Sequence, residues 1–193
     1  NQIITNSEFS KRRIFKIYKH KNIKVIQPGL TRSIVKHKDK TEKKDYILCI
    51  SSSDPRKNLN NFFEIVKNNP KQNFILVSNS FDYYKEQRLE KFSNLKIEKN
   101  LREEKIQQMI KEAKALIYLS EYEGFGMPIY EAIQCHTPVI CPKIKHYKQT
   151  FKDSNLNYLV ENKLPKTLKS PKKQNLYLIN QQSRRLLKLI VKD

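Results

Sequence analysis

Short apolar runs that alternate with helix-spaced stretches constrain this chain more than any other feature of its sequence. Tyr46 to Ile50, Phe74 to Val77, Leu95 to Ile97, Ala115 to Leu119 and Val139 to Cys141 have the length of strands and the near-continuous apolar character of strands buried on both faces. Between them, Leu59 to Val66 turns Phe62, Phe63 and Val66 inward, and Tyr84 to Phe92 is a polar helical stretch. Arg102 to Ala113 then carries Ile106, Met109, Ile110 and Ala113 at helical spacing. Strands that alternate with helices need right-handed crossovers. The pattern therefore predicts an α/β fold, a Rossmann-like doubly wound parallel sheet, with extra helices at its two ends. Ligands of such sheets sit at the carboxyl ends of the strands, which draws attention to the loops after Ile50 and Leu119.

The second of these loops holds the densest chemistry. Ser120-Glu121-Tyr122-Glu123-Gly124-Phe125-Gly126-Met127-Pro128-Ile129-Tyr130-Glu131-Ala132 places two carboxylates, Glu123 and Glu131, around a glycine-rich turn. Pro128 suits the first turn of a helix, where its missing N–H costs nothing. Gly124 and Gly126 let the backbone approach a ligand, and the new helix directs free N–H groups and its positive dipole end at the same place. That is a cradle for a phosphate. Glu131 can accept hydrogen bonds from sugar hydroxyls, and Glu123 can reach a second group on the far side. A nucleotide sugar carries both a diphosphate and many hydroxyls.

With its Gly-Phe-Gly-Met-Pro core, this run resembles the donor-site motif of retaining family 4 (group 1) glycosyltransferases, and the likeness continues from Tyr122 to Ile140. The resemblance implies one half of a GT-B architecture, the C-terminal, donor-binding Rossmann-like domain. It also implies a basic pair in the other loop, and Asp54-Pro55-Arg56-Lys57-Asn58 supplies one. Arg56, Lys57 and Glu123 are accordingly expected to be catalytic, the two cations neutralising a departing diphosphate. Glu131, Gly124, Phe125, Gly126, Met127 and Leu101 are expected to bind the donor. Many members carry a glycine and an arginine just after this strand where this chain has Ile50 and Ser51, so that contact is either missing or replaced by Arg56. Pro-Arg-Lys-Asn resembles the variant in bacterial polysaccharide mannosyltransferases, which favours mannose from a guanosine donor over a UDP-hexose. No Asp-x-Asp occurs, and neither a metal nor another cofactor is expected.

The resemblance also divides the chain. Residues 1–30, with a helix carrying Phe9, Ile14 and Ile17 and a strand at Ile23 to Ile26, resemble the end of an N-terminal domain and the crossover from it. Residues 31–44 read as a charged linker, and 45–193 as the nucleotide-sugar-binding domain, ending in a basic loop at Lys163 to Lys173 and a closing helix at Leu176 to Val191. The N-terminal domain, which brings the acceptor site, is missing, so the chain is expected to be a fragment or to need a partner. Cys49, Cys135 and Cys141 lack the spacing of a metal site and read as small buried hydrophobes, and the four histidines are scattered.

A net charge of +20, from 39 Lys and Arg against 19 Asp and Glu, allows a different class of function. It suits a non-catalytic basic module that binds nucleic acid or an anionic membrane surface. No zinc finger, RNP-like aromatic pattern or basic heptad region supports the nucleic-acid reading, and paired carboxylates gain nothing in backbone binding. Peripheral attachment to the inner face of a membrane fits better, because basic surfaces attract anionic leaflets and lipid-linked acceptors reside there. The expected location is cytoplasmic.

Overall fold

The computed structural model describes residues 1–30, 41–80 and 92–172, together with Gln182, Arg185 and Leu186. The expected helix over Tyr84 to Phe92 except its last residue, most of the 31–44 linker, and most of the closing helix lie outside these residues. Gln182, Arg185 and Leu186 are themselves helical.

The first 30 residues form a small unit of their own. Strands β1 (Ile3–Thr5) and β2 (Ile23–Val25) pair in parallel, joined by helix α1 (Glu8–Tyr18). Ser7 caps α1, its Oγ accepting the Ser10 N–H at 3.0 Å, with Glu8 in the positive first turn and Lys16 in the negative last one. Lys19 then ends the helix in a left-handed conformation. The helix is where expected, but its apolar face is not buried. Phe9 and Ile14 are half-covered and Ile17 is 60% exposed, because a two-stranded sheet offers too little surface to bury a whole face.

The main sheet has six strands, all parallel, in the order β5-β4-β3-β6-β7-β8. These are β3 (Lys44–Ile50), β4 (Phe74–Val77), β5 (Leu95–Glu98), β6 (Ala113–Ile117), β7 (Val139–Cys141) and β8 (Asn157–Tyr158). Helix α2 (Leu59–Lys67) follows β3, α3 (Glu103–Glu112) runs straight into β6, α4 (Met127–Gln134) joins β6 to β7, and the short α5 (Lys145–Thr150) precedes β8. Chain order runs outward in both directions from β3 and β6. Between those two lies the point where the winding reverses.

Alternation along the central strands builds two cores. Tyr46 and Leu48 of β3, Leu116 of β6 and Val139 and Cys141 of β7 pack with α3 and α4 on one face. Ile47, Cys49, Phe74, Leu76, Ala115, Ile117 and Ile140 point to the other, where Leu59, Phe62, Ile65 and Val66 of α2 cover them. Phe63, expected inward, is only half-buried, and Ile65 takes the fully buried position.

Several boundaries differ from the sequence reading, among them the end of β6 at Ile117 rather than Leu119. Strand β6 starts at Ala113 rather than Ala115, because that residue, periodic with α3, is already extended and buried, and helix passes into strand without a loop. Lys44, read as the end of a linker, begins β3 and pairs with Glu112 at 2.6 Å; the strand is exposed at this end and tolerates charge. Strands β1 and β8 and helix α5 have no counterpart in the sequence reading.

Candidate functional site

Both loops singled out by sequence leave the sheet at the reversal point. After β3, Ser51 to Asp54 leads into a 3-10 turn at Pro55–Lys57, which Asp54 caps by accepting the Arg56 N–H at 2.9 Å. Asn58, left-handed at φ 54, hands the chain to α2. After β6, the chain runs through Tyr118 to Gly126 and enters α4 with Pro128 in its first turn. The two loops are bonded to each other. The Glu121 N–H donates to the Arg56 carbonyl at 2.9 Å, Ser120 Oγ to the same carbonyl at 3.3 Å, and Asn58 Nδ2 to Glu121 Oε1 at 2.9 Å. From beneath, the buried Tyr147 hydroxyl donates to the Ser120 carbonyl at 2.7 Å.

Between the loops opens a cleft of about 460 Å³. It is lined by Ile50, Ser51 and Ser52 after β3, by Lys57, Tyr118 and Glu123, and by Gly124 to Pro128 at the N-terminus of α4. Asn6 and Pro28 of the small N-terminal unit complete it. Gly126 has φ +97, a conformation that side chains rarely adopt, and a Cβ on Gly124 would lie 2.8 Å from the Asn6 amide nitrogen. The Ser7 hydroxyl that caps α1 also donates to the Gly124 carbonyl.

Lys57, Tyr118 and Glu123 form a closed triangle. Lys57 Nζ is ion-paired with Glu123 Oε1, and it also donates to the Tyr118 hydroxyl at 3.1 Å. Tyr118 donates in turn to Glu123 Oε1 at 2.8 Å. Burial pushes the Glu123 carboxyl up, but hydrogen bonds from Lys57, Ser120 and Tyr118 and the Lys57 charge outweigh it and leave the group below its ordinary range. Glu123 is therefore ionised at neutral pH. Burial, and then the charge of Glu123, pushes the Tyr118 phenol far above the usual range, so it stays protonated.

The remaining predicted residues divide clearly. Lys57, Glu123, Gly124, Phe125, Gly126 and Met127 all line the cleft. The ring of Phe125 is buried edge-to-face against Tyr130 and Phe151, so its contribution to the cleft is mainly backbone. Arg56 does not line it. Its side chain is 64% exposed and forked onto Asp54, whose carboxyl is pushed down to about 2 by hydrogen bonds from that guanidinium and the Arg56 N–H. Glu131 lies beyond the cleft on α4, near Glu103; burial, and then the Glu103 charge, pushes its carboxyl up to about 7. Leu101 packs half-buried against the core beside α3.

Sequence reasoning passed over Tyr118, which reads as the apolar end of a strand, and over Asn6, Pro28, Ser51 and Ser52 as site residues. Ser51, and Ile50 which also lines the cleft, carried a signal as the place where the familiar loop pattern changes. Among the described residues, no group of three or more His, Cys, Asp or Glu converges as a metal site. The arrangement pairs a cation, a helix N-terminus and glycine backbone with a fixed carboxylate, which suits an anion linked to a hydroxyl-bearing group.

The fold defines the class: a Rossmann-like parallel sheet with flanking helices, matching GT-B glycosyltransferases. The glycosyl transferases group 1 family matches residues 31–186, and the chain belongs to that family. A curated relative, O-antigen chain mannosyltransferase B of Escherichia coli, is 23% identical over 180 residues, covering 80% of this chain and 46% of its own length. An S. aureus TarM variant, solved with UDP, fondaparinux and alpha-GlcNAc-glycerol, superposes with a TM-score of 0.68 at 20% identity, covering 98% of this chain and 37% of that one. WaaG, a glycosyltransferase involved in lipopolysaccharide biosynthesis, gives 0.67 at 14% identity, covering 98% and 54%. The chain thus spans about half the length of the curated relative it matches.

Proposed function

We propose that this chain is the donor-binding half of a retaining glycosyltransferase, moving a hexose from a nucleotide diphosphate sugar to a glycan or lipid-linked acceptor. The observation that carries this reading is the Lys57–Glu123 pair facing the Gly124–Gly126 backbone and the N-terminus of α4, at the reversal point of the sheet. Residues 44–193 form the donor domain, 31–43 the linker, and 1–30 the end of an acceptor domain. Mannose is favoured by the mannosyltransferase relative, and GDP follows from it; the UDP in the TarM structure keeps the uridine donor as the competing choice.

In this reading the diphosphate lies across the glycine backbone and Lys57. The bond from the anomeric carbon to the diphosphate oxygen breaks, its electrons leaving with the diphosphate. The acceptor oxygen bonds on the same face, and its proton passes to the departing phosphate oxygen. Lys57 offsets the growing charge, and Glu123 orients the sugar without attacking it. Arg56 reaches the phosphates only by leaving Asp54, and Glu131 receives donor hydroxyls. No metal is assigned to the diphosphate, since cationic and backbone donors already surround it. A basic surface on a chain whose described helices are all too short or too polar to cross a bilayer supports docking at the cytoplasmic face of an anionic membrane.

Thermal melting with UDP, GDP and their sugars tests the donor site. One nucleotide should raise the Tm selectively, and Lys57→Ala with Glu131→Ala should abolish the rise. Arg56→Ala should weaken it less than Lys57→Ala, which loses about tenfold in affinity or more. A Tm unmoved by any nucleotide, together with salt-sensitive binding to RNA or anionic vesicles, would replace this reading with that of a basic binding module.

A further inference from the structure

We propose that Tyr118 is a positioning residue that holds the Glu123 carboxylate in place through its hydroxyl while Lys57 turns toward the donor phosphates. The inference rests on the donor-site reading above and adds a residue to it. Tyr118 is 4% exposed, at the end of β6 under the cleft, with its ring 5.4 Å from Lys57 Nζ and its hydroxyl between the two charged groups. A phenol has one proton to give. Because Lys57 can only donate, the hydroxyl accepts from Lys57 and must give its own proton to Glu123, so the direction of the chain of bonds is fixed.

The consequence concerns what happens when a diphosphate arrives. At the cleft Lys57 and Glu123 are ion-paired. An incoming phosphate competes for the ammonium, and each step that Lys57 takes toward it removes an ion-pair partner from a carboxylate that burial already pushes toward the neutral form. A protonated Glu123 would lose an acceptor site for sugar hydroxyls. The tyrosine prevents this because its bond to Glu123 needs no charge of its own and does not compete for phosphate. Lys57 can then serve the leaving group without releasing the residue that orients the sugar.

The test is Tyr118→Phe, which keeps the buried ring and deletes only the hydroxyl, in the full-length protein that carries this chain. Tyr46→Phe is the control, since Tyr46 also buries a phenol, bonded to the Met109 carbonyl at 2.9 Å, but away from the cleft. The first measurement is the titration of the Glu123 carboxyl carbon by NMR with UDP or GDP bound, from about pH 2 to about pH 8. In Tyr118→Phe the midpoint should rise by about one unit, as expected for losing a hydrogen bond to a charged group, and in Tyr46→Phe it should not move. The second is turnover against pH: the acid limb should move up by the same amount, with kcat falling about tenfold and KM for the donor changing little. An unmoved Glu123 midpoint in a folded Tyr118→Phe protein would overturn the inference and leave the donor site standing. Absence of any nucleotide binding by the unaltered protein would instead overturn the donor-site reading. Should Tyr118→Phe not fold, Lys57→Gln decides: Glu123 must stay ionised at neutral pH without the lysine, and a carboxyl that is neutral there refutes the role of the tyrosine.

Discussion

Adjacent residues with similar chemistry have been given different tasks by their surroundings. Arg56 and Lys57 are consecutive cations, yet one is tied to Asp54 in solvent and the other faces the cleft. Glu123 and Glu131 are both carboxylates of one motif, yet one lies below its ordinary range and the other is pushed up to about 7. Glu131 therefore makes a stability prediction. Between its ordinary 4.5 and about 7 the folded protein holds a proton that the unfolded chain has released. Stability from this group is greatest below the lower value, declines as pH rises, and stays reduced above the higher one. Glu131→Gln should remove that decline, making the protein more stable than the wild type by about 1–3 kcal/mol above neutrality and nearly equal to it in acid. Urea unfolding of both proteins at several pH values reads the difference directly. Under the proposed donor reading, the same variant should also bind the donor more weakly, which nucleotide-sugar titration checks.

Among the elements, α4 does most to shape the cleft, and Gly126 makes its entry possible. The residue caps α4 from the left-handed region at φ +97, and its carbonyl accepts the Tyr130 N–H at 3.2 Å to start the helix. Phe151 already lies 3.4 Å from where a Cβ would be. Gly126→Ala should cost about 1–2 kcal/mol for the backbone conformation alone, and the shifted N-terminus of α4 should weaken nucleotide binding beyond that. Denaturant midpoints and nucleotide titration together check it; a variant with native stability and native affinity contradicts the role given to the turn. The loop and helix start were legible in sequence because glycine and proline carry their backbone preferences locally. The start of β6 was not, since Ala113 continues the helical period of α3 and only its pairing with β3 makes it a strand.

For the molecule as a whole, the attachment of the N-terminal unit to the motif loop is the notable link. Ser7 caps α1 and bonds to the Gly124 carbonyl, and Phe9 packs on Tyr122 and His146 with ring centroids 6.0 and 4.5 Å apart. A movement of residues 1–30 is thus felt at the cleft. Ser7→Ala should destabilise α1 by about 0.5–2 kcal/mol and loosen the loop with it. Hydrogen exchange should quicken in α1 and around Gly124 while β3 and β6 keep their protection, and uniform quickening would show a global effect instead. The alternating strands, the parallel sheet, the two loops at its carboxyl edge and the Gly124–Met127 side of the cleft were all accessible from residue order, because they follow from periodicity and from the preferences of glycine and proline within a few positions. Which cation enters the cleft, the buried hydroxyl of Tyr118 between two charges, the burial of Glu131 and the seating of Asn6 and Ser7 on Gly124 were not. These depend on contacts between distant positions, as far apart as the 117 residues from Ser7 to Gly124, and no local preference encodes which side chains such contacts bring into the same small volume.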